Sequence, residues 1–334
     1  MLGALLKKQP LPGICAINFN AESASIARII AGDAKPVVDF CGFYSLDQPT
    51  IEHQLRQLAT THQLNRYTCT TLMSRIDYQL LVMEAPAVPK NELKDALRWH
   101  IKDLIDEPVS DITLDAFDVP TPRGAKKSNV VYVVAAKKEQ LNNRSKILQS
   151  AGINLQIIDI KELAQRNIAN LLSDNKNGVA LLSLDSTSGI LTLSRGGELY
   201  LNRPLNLGLN QVVPAATNAP TEIQNDTGLP ELNLDSEIAN SAIYDYIALE
   251  LQRSLDYYES NFRQPPIRTL HLAPIARTLP GFPEYIKNNL NMNVEVVDLN
   301  NLFESKTPIP VETQEKVFFA LGAALHGSDH EPGN

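Results

Sequence analysis

Apolar, strand-forming runs over residues 14–19, 25–30 and 37–44 predict three strands in quick succession. Asn20-Ala21-Glu22-Ser23 supplies good turn residues between the first two, and Gly32-Asp33 breaks the chain before the third. Pro49 and Thr50 then open a helix whose apolar positions Ile51, Leu55, Leu58 and Leu64 share a face. Two more strands are expected over 67–73 and 78–84. Early strands, a helix and further strands make an α/β unit.

From residue 88 the pattern reads as a separate module. Pro89 and Asn91 launch a helix, with Leu93, Leu97, Ile101, Leu104 and Ile105 spaced for one buried stripe, and Pro108 stops it. Strands over 114–119 and 129–136 flank a Pro-Thr-Pro-Arg-Gly loop. A helix over 138–150, closed by Gly152, and a strand over 155–160 that returns to the main body complete a compact α+β unit. A helix over 161–172 leads to the polar run 173–178, which reads as a hinge. Beyond it come strands over 179–184, 189–195 and 198–204, with Gly196-Gly197 as the hairpin turn. Both halves of the chain thus open with strand, polar turn and strand, the pattern of an internally duplicated fold.

The second half continues with a polar stretch, 214–235, expected as a loop or a poorly ordered excursion. A long helix over 237–262 carries Ile247, Leu251, Leu255, Tyr258 and Phe262 on one face. A strand over 269–272, a helix over 281–290 and a strand over 294–298 follow. The last helix, 314–326, is apolar on most sides and should be buried. The tail, 328–334, is expected to be loose.

Composition narrows the function. A chain of 334 residues with 43 % hydrophobic and 20 % charged residues suits one large or two medium globular domains. A net charge of −8, with scattered basic residues, argues against nucleic acid as the main partner. The densest basic run, Arg123-Gly124-Ala125-Lys126-Lys127, reads as a solvated loop. Cys15, Cys41 and Cys69 lie in apolar strands without paired spacing, so small buried hydrophobes in a reducing compartment are expected, not a disulfide or zinc framework. No run approaches the roughly 20 apolar residues of a spanning helix, and the N-terminus lacks signal-peptide architecture. A cytoplasmic protein is the expectation. The start, Leu2-Gly3-Ala4-Leu5-Leu6-Lys7-Lys8, fits either a contact with an anionic membrane surface or a frayed terminus.

Four stretches carry a resemblance. Ala16 to Ser23 with Ser25-Ile26-Ala27 looks like the first phosphate hairpin of an actin-like fold. Pro86 to Leu93, continued by Ala96-Leu97-Arg98-Trp99-His100, is similar to the start of the subdomain inserted in PilM proteins of type IV pilus assembly. Ala135-Ala136-Lys137-Lys138, Ser150-Ala151-Gly152-Ile153 and Ile158-Asp159-Ile160 resemble its exit. Leu251 to Tyr258 looks like the long helix of the second half. Within that family the likeness is greatest to MshI, from the mannose-sensitive haemagglutinin (MSHA) pilus system. The resemblance implies an actin-like, RNase H-like duplicated α/β fold, two halves around a cleft, with an α+β insert of the kind also found in the division protein FtsA. It places 1–87 and 160–173 in the first half, 88–159 in the insert and 174–311 in the second half. A C-terminal helix, 312–327, returns to the first.

The resemblance also implies what a nucleotide site would need, roughly Asp-x-Gly in each phosphate hairpin. The carboxylates hold Mg²⁺ or its waters, and the glycines let backbone N–H groups approach phosphates. Here the first hairpin has Asn18-Phe19-Asn20, and the second has Ser183-Leu184-Asp185 followed by Ser186, Thr187 and Ser188. Asn18 and Ser183 are neutral. Asp185 stands where the glycine belongs and would either rescue a metal or repel a phosphate. The adenine-side segment, Leu272-Ala273-Pro274-Ile275-Ala276-Arg277, lacks paired glycines. These departures predict loss of ATP turnover and no required cofactor, with weak binding of ATP and Mg²⁺ through Asn18, Asn20, Ser183, Asp185 and Thr187 as the remaining option.

Other constellations are weaker. His53 and His62 lack metal-ligand spacing and read as surface polar residues. Trp99 is either an exposed anchor or helical core. Asp256, Tyr257 and Tyr258 read as structural residues of the long helix. The function the resemblance implies is a binding scaffold beneath the inner membrane. It would hold the cytoplasmic N-terminal peptide of a bitopic PilN-like protein and link it to the pilus motor ATPase. The peptide groove would involve Leu93, Leu97, Trp99 and Ile101 with strands around 78–84 and 131–136. Two other readings compete: a nucleotide-gated actin-like ATPase, and a sugar-kinase-like enzyme, which needs an intact hairpin and a catalytic aspartate that the sequence does not offer.

Overall fold

The computed structural model describes residues 10–89, 91–105, 107–124, 129–212, 234–276 and 279–326. In chain order the first half builds β1 (Ile14–Phe19), β2 (Ser23–Ile30), β3 (Val37–Ser45), α1 (Ile51–Thr61), β4 (Thr68–Leu72) and β5 (Tyr78–Glu84). Then come α2 (Leu93–His100), β6 (Ile112–Asp118), β7 (Val130–Lys137), α3 (Lys138–Ser150), β8 (Leu155–Asp159) and α4 (Lys161–Ala169). The second half adds β9 (Val179–Leu184), β10 (Gly189–Arg195), β11 (Glu198–Leu205), α5 (Leu209–Val212), α6 (Leu234–Phe262), β12 (Thr269–Leu272), α7 (Phe282–Leu290) and β13 (Asn293–Val296). The short α8 (Leu299–Leu302) and β14 (Glu304–Ser305) precede the last helix, α9 (Val311–Ala324).

The duplication is visible in the hydrogen-bond ladders. In the first sheet β1, β2 and β3 form an antiparallel meander, β4 joins β1 in parallel and β8 joins β4 in parallel. In the second sheet β9, β10 and β11 form the meander, and β12 and β13 extend it in parallel from β9. Strand order, direction and the place of the hairpins match between the two, so the chain has the actin-like fold. All six residues of β9 are buried, as expected for a strand covered on both faces. One apolar cluster joins the sheets: Ala16, Ala27 and Leu72 of the first meet Val179 and Leu181 of the second through Ala164 and Ile168 of α4 and most of α9. The α4–α9 contact is close because the residues there are small. A Cβ on Gly322 would lie 2.2 Å from the Ala164 carbonyl oxygen, so only glycine fits.

Three placements differ from the sequence expectation. Tyr78–Glu84 does not extend the first sheet; β5 pairs with β7, which also pairs with β6, to form a separate three-stranded sheet. Its alternation suits either sheet. Pairing with β7 buries Leu81 and Met83 against the insert's own helix, with Leu97 and Ile101, and this decides its place. Conversely, α3 belongs against the first half: β8 returns to the main body as an end strand of its sheet, and Ile147 and Leu148 of α3 join the cluster containing Leu55 and Leu64. The chain also recrosses earlier than expected, since β14 pairs with Val37 and Val38 of β3. Helix α6 begins at Leu234. The remainder of the expected polar excursion, residues 1–9, most of the 123–127 basic run and the tail from 327 lie outside the described residues.

The insert is not a free appendage. One face of its sheet packs on α2. The other carries Phe117 and Tyr132, whose rings stack with centroids 5.0 Å apart, into the apolar cluster of the second half. The Tyr132 hydroxyl donates to the Tyr200 carbonyl at 3.2 Å, and the Arg123 N–H donates to the Phe262 carbonyl at 3.0 Å. On the core side, Tyr78 donates to the buried Glu162 of α4, which Arg75 approaches at 3.4 Å.

Candidate functional site

The two meander hairpins stand at equivalent places, and both close on themselves. In the first, the Asn20 side-chain oxygen accepts from the backbone N–H of Glu22 and of Ser23, each at 2.8 Å, and from the Ser23 hydroxyl at 3.1 Å. In the second, Asp185 Oδ1 accepts from the N–H of Thr187 at 2.9 Å and of Ser188 at 2.7 Å, while Oδ2 takes the Ser188 hydroxyl at 2.8 Å. The Thr187 hydroxyl reaches Asp185 only at 3.5 Å. Each turn is also bridged by backbone, Asn20 N–H to Ser23 carbonyl at 2.9 Å and Asp185 N–H to Ser188 carbonyl at 2.8 Å. An Asx side chain at the first turn position therefore occupies the N–H groups that an actin-type hairpin offers to phosphate.

The second hairpin is covered as well. Gly208 lies so close that a Cβ there would sit 2.3 Å from the Thr187 nitrogen. Leu209 and Asn210 donate their N–H groups to the carbonyls of Asp185 and Ser186 at 2.7 and 3.0 Å. Lys161, at the start of α4, is 3.7 Å from Asp185 Oδ2. Burial opposes the charged form of Asp185. The donors from Thr187 and Ser188, together with Lys161, outweigh it and hold the carboxyl below its ordinary value.

The remaining expected nucleotide positions have other uses. The buried Ser183 donates its hydroxyl to Gln165 Oε1 at 2.7 Å, and Gln165 donates to the carbonyl of Leu181 and the hydroxyl of Thr192. Asn18 sits in β1 opposite Ser25. Among the segment 272–277, Ala273 and Ile275 are buried and the Ala276 N–H is taken by Glu315 at 3.2 Å; Arg277 lies outside the described residues. The residues present do not fit a Mg²⁺-nucleotide. The N–H groups of Glu22, Ser23, Thr187 and Ser188 are taken, and the Asp185 carboxylate is spent on its own turn. Among the described residues, no three His, Cys, Asp or Glu side chains come together as a metal site.

The expected peptide groove needs correction. Leu97 and Ile101 are both 0 % exposed, in the core between α2 and the insert sheet. Leu93 is half-buried against the same cluster. The stripe that suggested a groove is the helix's inner face. Trp99 alone of the four points outward, 78 % exposed. The 131–136 strand is likewise the central one of its sheet. A hollow of about 840 Å³ instead opens on the first half, beside the connection that leads from β4 into β5. It is lined by Phe19 and Asn20 of the first hairpin, Glu52 of α1, Asp77 just before β5, and Asn143 and Arg144 of α3. Arg144 lies over the Phe19 ring at 4.3 Å and gives two hydrogen bonds to the Phe19 carbonyl, at 3.2 and 3.0 Å. Burial lowers it to about 10, against the pull of Asp77, so it stays charged but committed to the hairpin. Glu52 and Asp77 then leave the hollow acidic. Sequence reasoning missed this site because its residues come from four separate segments. It also passed over the repeated spacing of an Asx three residues before a serine, Asn20-x-x-Ser23 and Asp185-x-x-Ser188, which signals the closed turns.

Other singled-out residues are structural. His62 stacks on Phe40 at 4.2 Å and meets the Tyr44 hydroxyl at 2.8 Å, and Tyr258 is fully buried while Tyr257 is exposed. Cys15 and Cys69 are buried and Cys41 is partly so, all as free thiols.

With the geometry in place, comparison with known proteins decides the family. The family model described as type IV pilus assembly protein PilM matches residues 49–327. The chain belongs to the PilM family. A solved PilM–PilN type IV pilus biogenesis complex contains a chain of the same fold, with a TM-score of 0.70 at 19 % identity, covering 96 % of this chain and 100 % of that one. The cytoplasmic domain of EpsL, an inner-membrane component of the type II secretion system of Vibrio cholerae, aligns with a TM-score of 0.47 at 11 % identity over 94 % of this chain and 98 % of that one. A Bacteroides thetaiotaomicron protein with an actin-like ATPase fold aligns at 0.49 and 9 % identity, over 94 % and 99 %. None of the curated proteins matches the chain. No helix among the described residues of this PilM-family chain is long and apolar enough to cross a membrane.

Proposed function

We propose that this PilM-family protein is a non-hydrolysing scaffold of an MSHA-type pilus assembly platform. It holds the cytoplasmic N-terminal peptide of a PilN-like inner-membrane protein, stays at the membrane through that partner, and links it to the pilus motor. The observation that carries the scaffold reading is the paired closure of both hairpins by Asn20 and Asp185. A hairpin whose N–H groups are already bonded gains nothing from a phosphate. The solved PilM–PilN complex supports the class of partner. The hollow on the first half, beside the connection into the insert, supports the place. It is acidic through Glu52 and Asp77, which suits a basic peptide. The end strand β5 starts directly from Asp77, and an end strand offers backbone donors and acceptors to an extended segment.

Fluorescence anisotropy of a labelled N-terminal peptide from the cognate PilN-like protein tests this. Asp77→Lys combined with Glu52→Lys should weaken binding about tenfold or more at low salt, with circular dichroism unchanged. Unchanged binding in that variant would remove the hollow from the account, and no binding to the unaltered protein would remove the partner.

A further inference from the structure

A second hollow, of about 590 Å³, lies on the outer side of α2. It is lined by Trp99, Ile105, Pro108 and Val109, with Arg98 and Lys102 at its polar side. It shares no lining residue with the hollow assigned to the PilN-like peptide. Glu107 also borders it, but Lys137 holds that carboxylate at 2.7 Å. The two cations are not matched in this way. Arg98 Nε is buried without a hydrogen-bond partner, and neither Arg98 nor Lys102 has a carboxylate within 4.0 Å among the described residues. Trp99 stands 78 % exposed beside them, and Leu104, one turn on, is 55 % exposed.

We infer that this face of the insert is a docking site for an acidic protein segment with an aromatic or aliphatic anchor residue. The argument is charge complementarity around a side-chain-sized apolar hollow. An anchor residue fills the space between Trp99, Ile105 and Val109, and its neighbouring carboxylates pair with Lys102 and with the unmatched Arg98. Tryptophan and arginine around a small apolar hollow are the usual composition of an interface centre. In a chain of net charge −8, two unpaired cations at one apolar spot select against most acidic surfaces unless these are brought in register by the anchor. A flat anionic bilayer fits less well, because the site is concave and takes a side chain rather than a plane of headgroups. The site gives the scaffold two chemically opposite faces, one for a basic segment and one for an acidic segment. It stands on its own observations and does not rest on the PilN reading.

The chain has a single tryptophan, so its emission reports this site alone. The intact protein is titrated with the hexapeptide Glu-Leu-Glu-Phe-Leu-Glu and with its counterpart carrying lysine in place of each glutamate. The acidic peptide should shift Trp99 emission to the blue and bind about tenfold tighter than the basic one at low salt. Arg98→Glu with Lys102→Glu should reverse the preference, with circular dichroism unchanged; the single Lys102→Glu, at an exposed position, should narrow it. Equal binding of the two peptides, or none at millimolar concentration, overturns the inference. So does a Trp99 shift produced by phosphatidylglycerol vesicles but not by the peptide, which assigns the face to membrane, or by raising protein concentration alone, which assigns it to a second copy.

Discussion

At the scale of residues, two side chains close the meander hairpins. Asn20 and Asp185 stand where the resemblance expects glycine, and each accepts from two backbone N–H groups of its own turn. The departure from Asp-x-Gly was legible in the sequence. Its consequence was not, because a carboxylate at position 185 is equally compatible with a metal ligand until its oxygens are seen to be bonded. Linkage gives a test. The folded-state carboxyl of Asp185 titrates below its ordinary value of 3.8. Its stabilising contribution is therefore complete above the unfolded value and is lost as pH falls through the folded one. The melting-temperature gap between the protein and Asp185→Asn should be constant from about pH 5 upward and should close in more acidic solution. The group is partly exposed, so the gap should be small, of about 1 kcal/mol or less. A gap that widens on acidification would contradict the assignment.

At the scale of elements, apolar pattern sets what forms but not always where it goes. The strands of both meanders were legible because short apolar runs between polar turns have few alternatives. β5 was legible as a strand and not as a member of the insert, since sheet membership is decided by a partner, β7, some fifty residues away. Helix α2 shows the related error in reading a face. The spacing of Leu93, Leu97 and Ile101 marks a buried stripe, and a buried stripe against the insert's own sheet leaves nothing for a ligand. Leu97→Ala should cost about 3 kcal/mol in denaturant unfolding, whereas Trp99→Ala on the outer face should cost well under 1 kcal/mol. Comparable losses for the two would place Trp99 in the core.

At the scale of the whole molecule, the shared α4–α9 core joins the duplicated sheets and the insert packs on the second half. The sequence hinted at the duplication, but nothing local in it announced that the insert also touches the second half. Tyr132 is the main tie, stacked on Phe117 and bonded to the Tyr200 carbonyl. Tyr132→Ala should cost about 3–4 kcal/mol and separate the insert's unfolding from that of the body in calorimetry. A single, unshifted transition would mean that the contact carries no coupling. A scaffold has use for such a tie, because it fixes the geometry between its docking faces, whereas a nucleotide-gated protein must let its halves move.

The closed hairpins are the centre of this account, and isothermal titration of ATP with Mg²⁺ into the purified protein tests them most directly. The account predicts no saturable heat at about millimolar ATP, for the protein and for Asp185→Ala alike. Saturable binding that Asp185→Ala abolishes would contradict it, because the carboxylate would then be serving a metal-nucleotide and not its own turn.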